Sequence, residues 1–340
     1  MSNIVTFGEI MLRLSPNGYY RFCQNDQLQA TYGGGEANVA ISLANFGETV
    51  KFITKLPNNP IAKGAIETLR AFGVDTSHIV YGGERIGIYF LEKGAGERSS
   101  VCIYDRNHSS IQESIPNDFD WDVIFNDADW FHFTGITPAL GGNLVEICKQ
   151  ACSAAQKRGV KISCDLNYRS KLWTREQAHQ AMTELCQYVD VCIANEEDAK
   201  DVFSIEAEQT DIECGKLDAD GYKQVAQKLK DKFNFKAVAI TLRSSISASD
   251  NDWAGMLYDG NEFYFSRQHH IRIVDRVGGG DSFGAGLIYA MLNNYTPKEA
   301  IEFAVSASAL KQTIEGDFNR VSVEEVLKLT RGNGSGRINR

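Results

Sequence analysis

The stretch Asp275-Arg276-Val277-Gly278-Gly279-Gly280-Asp281-Ser282-Phe283-Gly284-Ala285-Gly286 decides the reading of this chain. Three glycines precede an aspartate, and an apolar run of small residues follows. Glycine permits positive φ and lets backbone come close to a ligand. The N–H groups of Gly278, Gly279 and Gly280 then point outward at a helix N-terminus, where the dipole favours an anion. Gly284 and Gly286 allow that helix to pack closely. An N-cap aspartate contributes about 1 kcal/mol by itself, which does not account for three glycines in a row. A carboxylate beside an anion hole suits deprotonation of a hydroxyl as a phosphoryl group arrives. The stretch is not a Walker A loop, which needs Gly-Lys-Ser/Thr. Its C-terminal position also argues against a Rossmann fingerprint.

Outward from this turn, short apolar runs alternate with amphipathic stretches. Buried strands are predicted at Ile4–Phe7, Val50–Thr54, Trp130–Phe133, Ile162–Asp165, Val189–Ala194 and Ala237–Thr241. Their nearly continuous hydrophobicity is that of parallel strands covered on both faces. Helices are predicted at Ala37–Phe46, Ile61–Phe72, Leu144–Arg158, Arg175–Tyr188, Ala219–Phe233, Asp281–Asn293, Pro297–Thr313 and Val323–Leu329. The alternation specifies an α/β protein with a mostly parallel sheet. Residues 11–32 and 84–108 break the rhythm. Ile86–Glu92 and Ser100–Tyr104 flank the glycine-containing turn Lys93–Arg98 and read as a hairpin. The two segments are expected to form a small β-sheet lid. The body is expected to comprise residues 1–10, 33–83 and 109–331. Ser204–Asp218 reads as a polar surface loop, and residues 332–340 as a flexible tail.

Composition narrows the function classes. The chain has 340 residues, 43% of them hydrophobic, and a net charge of −9. That sign argues against nucleic-acid binding and against a polybasic membrane surface. No apolar run reaches membrane-spanning length. Met1-Ser2-Asn3 lacks a basic leader, so a cytoplasmic location is expected. The eight cysteines form no Cys-x-x-Cys motif; Cys148 and Cys152 read as core residues. His132 reads as a satisfied core histidine. His269 and His270, adjacent on a strand, point to opposite faces and do not read as metal ligands.

A second glycine-rich helix start, Tyr32-Gly33-Gly34-Gly35-Glu36-Ala37-Asn38, completes the pattern. With Asn38 offering both donor and acceptor, it suits a polyhydroxylated ligand. Gly33-Gly34…Asn38 together with Asp275…Gly278-Gly279-Gly280-Asp281…Ala285-Gly286 resembles the two signatures of the ribokinase-like (PfkB) carbohydrate kinases. The resemblance runs from Gly8-Glu9 to about Val326. Within the family the chain looks most like 2-keto-3-deoxygluconate kinases. That closer match is carried by Gly8–Pro16, Thr54–Pro57, Ile86–Phe90, Tyr104-Asp105-Arg106, Asp165-Leu166-Asn167-Tyr168-Arg169, Asn195-Glu196-Glu197-Asp198 and Asp275-Arg276-Val277.

The resemblance implies a ribokinase-like three-layer α/β/α body with a β lid, and ATP-dependent phosphorylation of 2-keto-3-deoxygluconate to its 6-phospho product. It makes Asp281 the general base and Gly278, Gly279 and Gly280 the anion hole. Gly34, Asn38, Tyr89, Tyr104, Arg106 and Arg169 become substrate-binding residues, with Asp281 shared. The two arginines suit a carboxylate clamp, one from the lid and one from the body. The region Glu9-Ile10-Met11-Leu12-Arg13 holds arginine in place of the aspartate common in kinases of neutral sugars, which fits an acidic substrate. On the nucleotide side the resemblance implies Asn167, Asn195, Asp198, Thr241, Arg243, Gly278 and Gly280. Here Asp198 stands where the family usually has Glu, and Thr241-Leu242-Arg243 stands where a glycine turn is common. ATP and Mg²⁺ are the implied cofactors, with the ion held through phosphates and water and no direct protein cage. A monovalent cation is a further expectation. The alternatives are a fructokinase, a 2-keto-3-deoxygalactonate kinase, or a sugar sensor on the same fold. The intact Gly-Gly-Gly-Asp stands against the sensor, as it does against a dinucleotide enzyme. The apolar Ile86, Ile88 and Phe90 of the lid are expected to pair between subunits, making a homodimer or higher oligomer.

Overall fold

The computed structural model describes residues 1–24, 26–195, 197–207 and 219–332. The predicted tail from residue 333, most of the 204–218 loop, and Glu196 lie outside them. The six predicted strands are the six parallel strands of the central sheet. They are observed at Asn3–Phe7, Thr49–Ile53, Trp130–Thr134, Lys161–Asp165, Val191–Ala194 and Ala237–Ser245. Thr49–Ile53 lies at the edge beside Asn3–Phe7; the others follow in chain order. Asp250–Tyr258 then adds antiparallel to Ala237–Ser245, and itself pairs with Phe263–Phe265 and His269–Arg272. Of these, only the strand holding His269 and His270 was expected. Gly255 interrupts the apolar run Trp253–Tyr258 and reads as a break. In the fold it is a packing requirement, because a Cβ there would meet Val305, Ile301 and Phe283 at 2.8–3.1 Å.

Both faces of the sheet are buried, as continuous apolar strands require. Val5, Phe7, Phe131, Cys192 and Ile240 join one core with the helices Leu144–Lys157, Arg175–Leu185 and Ala219–Phe233. Ile4, Trp130, Ile193 and Ala239 join the other, with Gly35–Asn45, Pro60–Ala71, Gly279–Leu292 and Pro297–Lys311. The result is a three-layer α/β/α body. Its helix starts use local chemistry: Asn59 caps Ala62 N–H at 2.9 Å, and Thr296 with Glu299 forms a capping box. Cys148 and Cys152 are core residues. His132 is buried against Ser163, whose Oγ accepts from Trp130 Nε1 and shares a hydrogen bond with His132 Nδ1, both at 2.8 Å. Burial pushes the His132 pKa down to about 3, so the ring is neutral.

A second sheet has four strands in the order Gln29–Gly33, Met11–Ser15, Ile88–Glu92, Val101–Asp105. Alternation gives it two faces. Met11, Arg13, Tyr89 and Leu91 are buried toward the cleft, Leu14, Ile88, Phe90 and Ile103 lie on the opposite face, and Leu12 on that face packs against the core of the body. Ile86 corrects one expectation. It precedes the strand and is only 5% exposed, packed into the body, so it is not part of the apolar outer face. Among the described residues no helix is long and apolar enough to cross a membrane.

Candidate active site

Parallel α/β sheets place ligands at the carboxyl ends of their strands. Here those ends and the inner face of the small sheet enclose a cleft of about 420 Å³. Gly34, Asn38, Tyr89, Tyr104, Arg106, Arg169, Asn167, Asn195, Asp198, Thr241, Arg243, Gly278, Gly279, Gly280 and Asp281 all line it. The structure thus brings together every site residue singled out in the sequence. Glu9, Asp165, Asp275, Asn251, Gln312 and Asp317 line it as well, and were not singled out.

The helix Gly279–Leu292 starts at Gly278, which has φ +80°. A Cβ at Gly278 would also meet the Asp317 carbonyl oxygen at 2.0 Å, so glycine is required there twice over. Gly280 differs: a Cβ there would meet nothing within 4 Å. The protein itself does not demand that glycine, and the space above it opens into the cleft. Asp281 sits in the first helical turn. Asn38 Nδ2 donates to its Oδ2 at 2.7 Å, joining the two glycine-rich turns across most of the chain length. Burial raises the Asp281 pKa to about 7, against the Asn38 hydrogen bond, which lowers it. A carboxylate poised near neutrality at a helix start is suited to accept a proton.

Behind the turn lies a buried polar frame. Arg13 donates to Asp275 and Asp317, each at 2.6 Å. Tyr89 Oη donates to Asp317 Oδ2 at 2.5 Å. Val274 and Asp275 N–H both donate to the Gln312 carbonyl, and Ser308 Oγ donates to the Gly279 carbonyl at 2.7 Å. This places Arg13 differently from its sequence reading. It does not line the cleft but ties the small sheet to the glycine turn from behind. The carboxylate that does face the cleft from this region is Glu9, and Arg106 covers it. Arg106 Nε donates to Glu9 Oε2 at 2.8 Å, and Nη2 donates to the same oxygen. Glu9 Oε1 is buried without a partner among the described residues. Arg106 also lies over the Tyr104 ring, 5.2 Å from its centroid. Arg169 is exposed, bonds only the Tyr168 carbonyl, and has no carboxylate partner among the described residues.

Comparison with known proteins now bears on this geometry. A family model described as pfkB family carbohydrate kinase matches residues 1–320. The chain belongs to the pfkB family of carbohydrate kinases. The structure of a 2-dehydro-3-deoxygluconokinase from Thermotoga maritima is 50% identical, with a TM-score of 0.94, covering 97% of this chain and 98% of that one. A 2-dehydro-3-deoxygalactonokinase from Haloferax volcanii is 29% identical over 98% of both chains. A 2-dehydro-3-deoxygluconokinase from Thermoproteus tenax is 26% identical, covering 96% of this chain and 95% of the relative.

A pfkB kinase needs a nucleotide site, and the far half of the cleft has the chemistry for one. Asn251 Oδ1, Trp253 Nε1, Arg276 Nε and Gln312 Nε2 are buried, line the cleft and have no partner among the described residues. Unpartnered buried polar atoms cost free energy unless a ligand satisfies them. Asp198, placed by the sequence on the metal side, spends both oxygens on backbone. Oδ1 accepts from Tyr168 N–H and Oδ2 from Asn195 N–H, both at 3.0 Å. It fastens the loops after two strands together. Asp165 stands beside it with a pKa well above the carboxylate range, raised by burial and by the charges of Asp198 and Asp281. A cation entering there would relieve that repulsion.

Asp281 also makes the kinase's stability depend on pH. Its folded pKa lies above the ordinary carboxylate value. Its contribution is therefore fully present at acid pH and lost as pH rises through about 7. Asp281→Asn has no such ionisation. Between pH 5 and pH 8 the melting temperature of the variant is expected to gain on that of the wild type. Parallel melting curves would contradict the raised pKa.

Proposed function

We propose that this kinase transfers the γ-phosphoryl group of ATP to the terminal hydroxyl of 2-keto-3-deoxygluconate, the sugar also called 2-dehydro-3-deoxygluconate. The observation that carries the reading is the Asp281 carboxylate, its pKa near 7, at the glycine turn. The substrate hydroxyl gives its proton to Asp281 while its oxygen attacks the γ-phosphorus. The bond from that phosphorus to the β–γ bridging oxygen breaks, and ADP departs with the electron pair. The N–H groups of Gly278 and Gly280 stabilise charge on the phosphoryl oxygens in transit; the Gly279 N–H, expected to join them, instead donates to the Arg276 carbonyl at 3.3 Å and closes the turn. Asn38 holds the base in place. Asn195, Asp198 and Asp165 would hold Mg²⁺, which would supply neutralisation of phosphate charge. Thr241, Arg243 and Asn167 border the phosphates.

The acid group of the substrate falls to Arg169, which like Arg243 and Arg276 lines the cleft with no carboxylate partner among the described residues but, unlike them, follows the strand that ends at Asp165. Arg106, fixed by Glu9, has donors left for the same group, and Glu9 Oε1 is free to accept a sugar hydroxyl. Tyr89, Tyr104 and Gly34 shape the pocket. The small sheet acts as the lid: its tip is already pinned to the body, with Ala248 N–H donating to Gly96 carbonyl at 2.8 Å and Lys93 paired to Glu315 at 2.6 Å. The galactonate epimer is the second reading, favoured by the name of the Haloferax relative. We place the enzyme in the cytoplasm, where ATP is made and free thiols such as those of the seven described cysteines persist.

A coupled assay across both sugar acids, fructose and ribose tests this. The gluconate derivative is expected to give the highest kcat/KM. The wild-type value is expected to rise with pH to a plateau above about 7. Asp281→Asn should lower kcat about 10²–10⁴-fold. Arg169→Ala should raise KM for the acids about 10–100-fold, the loss of a charge-assisted bond, and leave fructose unaffected. Preference for a neutral sugar, or full turnover without Asp281, would overturn the proposal.

We also infer that two copies pair through the outer face of the small sheet. Ile103 and Val101 are 51% and 39% exposed there, beside half-buried Leu14, Ile88 and Phe90. Sedimentation should give a dimer for the wild type and a monomer for Ile103→Glu. A monomeric wild type would refute the pairing.

A further inference from the structure

Lys311 ends the helix Pro297–Lys311, and its side chain is fully buried. Its ammonium faces three backbone carbonyls: Gly316 at 2.6 Å, Asp275 at 3.1 Å and Ile314 at 3.3 Å. Three acceptors match three N–H bonds, which only the charged form of lysine carries. No carboxylate lies within ion-pair distance of Nζ among the described residues. A cluster of carbonyl oxygens replacing a hydration shell is the ligand set of a bare monovalent cation such as K⁺. The cage adjoins the glycine turn. Asp275 supplies one carbonyl, and the Lys311 side chain passes so close to Gly278 that a Cβ there would meet its Cε at 3.3 Å. The monovalent ion expected for this family therefore has no vacancy at these carbonyls.

On the kinase reading above, we propose that the Lys311 ammonium is a resident monovalent cation that holds the Asp275–Gly278 backbone in register with Asp281, so that phosphoryl transfer needs no added K⁺ or Na⁺. Lys311 touches neither substrate nor the reacting atoms and is a positioning residue. Its charge completes a balanced buried set, with Arg13 and Lys311 against Asp275 and Asp317. Burial lowers the lysine pKa, while the charges of Asp275 and Asp317 oppose that shift.

The test compares wild type, Lys311→Ala and Lys311→Met in tetramethylammonium chloride and in KCl, reading kcat, KM and melting temperature. Wild-type kcat is expected to be equal in both salts. A misplacement near 1 Å costs catalysis about a hundredfold, so Lys311→Ala should lose about 10–100-fold in kcat with KM for ATP little changed. KCl should restore at least about tenfold of that loss, the emptied cage taking K⁺, and should raise the melting temperature of this variant alone. Lys311→Met fills the space without charge and should show no rescue. Wild type strongly activated by K⁺, or Lys311→Ala turning over normally without it, would overturn the proposal. If the alanine variant does not fold, the wild-type salt comparison decides. If the wild type phosphorylates no sugar, the kinase reading fails instead, and the melting temperatures still test the cage.

Discussion

Four charges, two of each sign, are buried behind one glycine turn, and the cleft depends on their staying together. Arg13 comes from the small sheet, Asp275 from the turn, Lys311 from a helix end and Asp317 from the loop beyond it. Burying charge is costly, and removing one member of such a set commonly costs more than the set contributes. What the set provides is position. Arg13 bonds both carboxylates, so the small sheet and the catalytic turn share one rigid joint. Tyr89 adds a second bond to Asp317 from the same sheet. The side chain at Gly278 is excluded by the Asp317 carbonyl, so the same loop also fixes the turn from behind.

On the proposed mechanism, that joint couples the small sheet, as lid, to Asp281, as base. The inner face of the small sheet covers one end of the cleft, and its hairpin tip reaches the Ala248–Ser249 turn of the body. Asp281 is held from the opposite side by Asn38, on the helix that follows the second glycine turn. The base is thus braced by the body while the turn that carries it is braced by the lid sheet. Excluding water raises the Asp281 pKa toward neutrality, as the proposed proton transfer requires. The same burial that weakens Asp281 as an acid costs stability at neutral pH, a familiar trade at active sites.

Much of this was readable in one dimension, for physical reasons. The six parallel strands declare themselves because strands buried on both faces are continuously apolar. The glycine turn declares itself because its cost has no structural return at Gly280. Other features were hidden. Arg13 sits in register with Met11, on the buried face of an alternating strand, and that alternation was the available signal. Lys311 falls within the predicted helix Pro297–Thr313, and nothing local in Leu310-Lys311-Gln312 tells that the chain folds back to surround it with carbonyls. Glu9 and Arg106 are 97 residues apart, and their pairing changes the charge expected of the sugar pocket. Asp165 appears in sequence as the polar end of a strand, while its proximity to Asp198 and Asp281 is purely tertiary.

The most direct measurement is a crystal structure of the protein with the sugar acid and a non-hydrolysable ATP analogue bound together. The account places the terminal hydroxyl oxygen of the sugar within about 2.6–3.2 Å of an Asp281 oxygen, with the γ-phosphate against the backbone of Gly278–Gly280 and the sugar carboxylate on Arg169. A sugar hydroxyl resting on another residue, or a terminal phosphate bound away from the glycine turn, would contradict it.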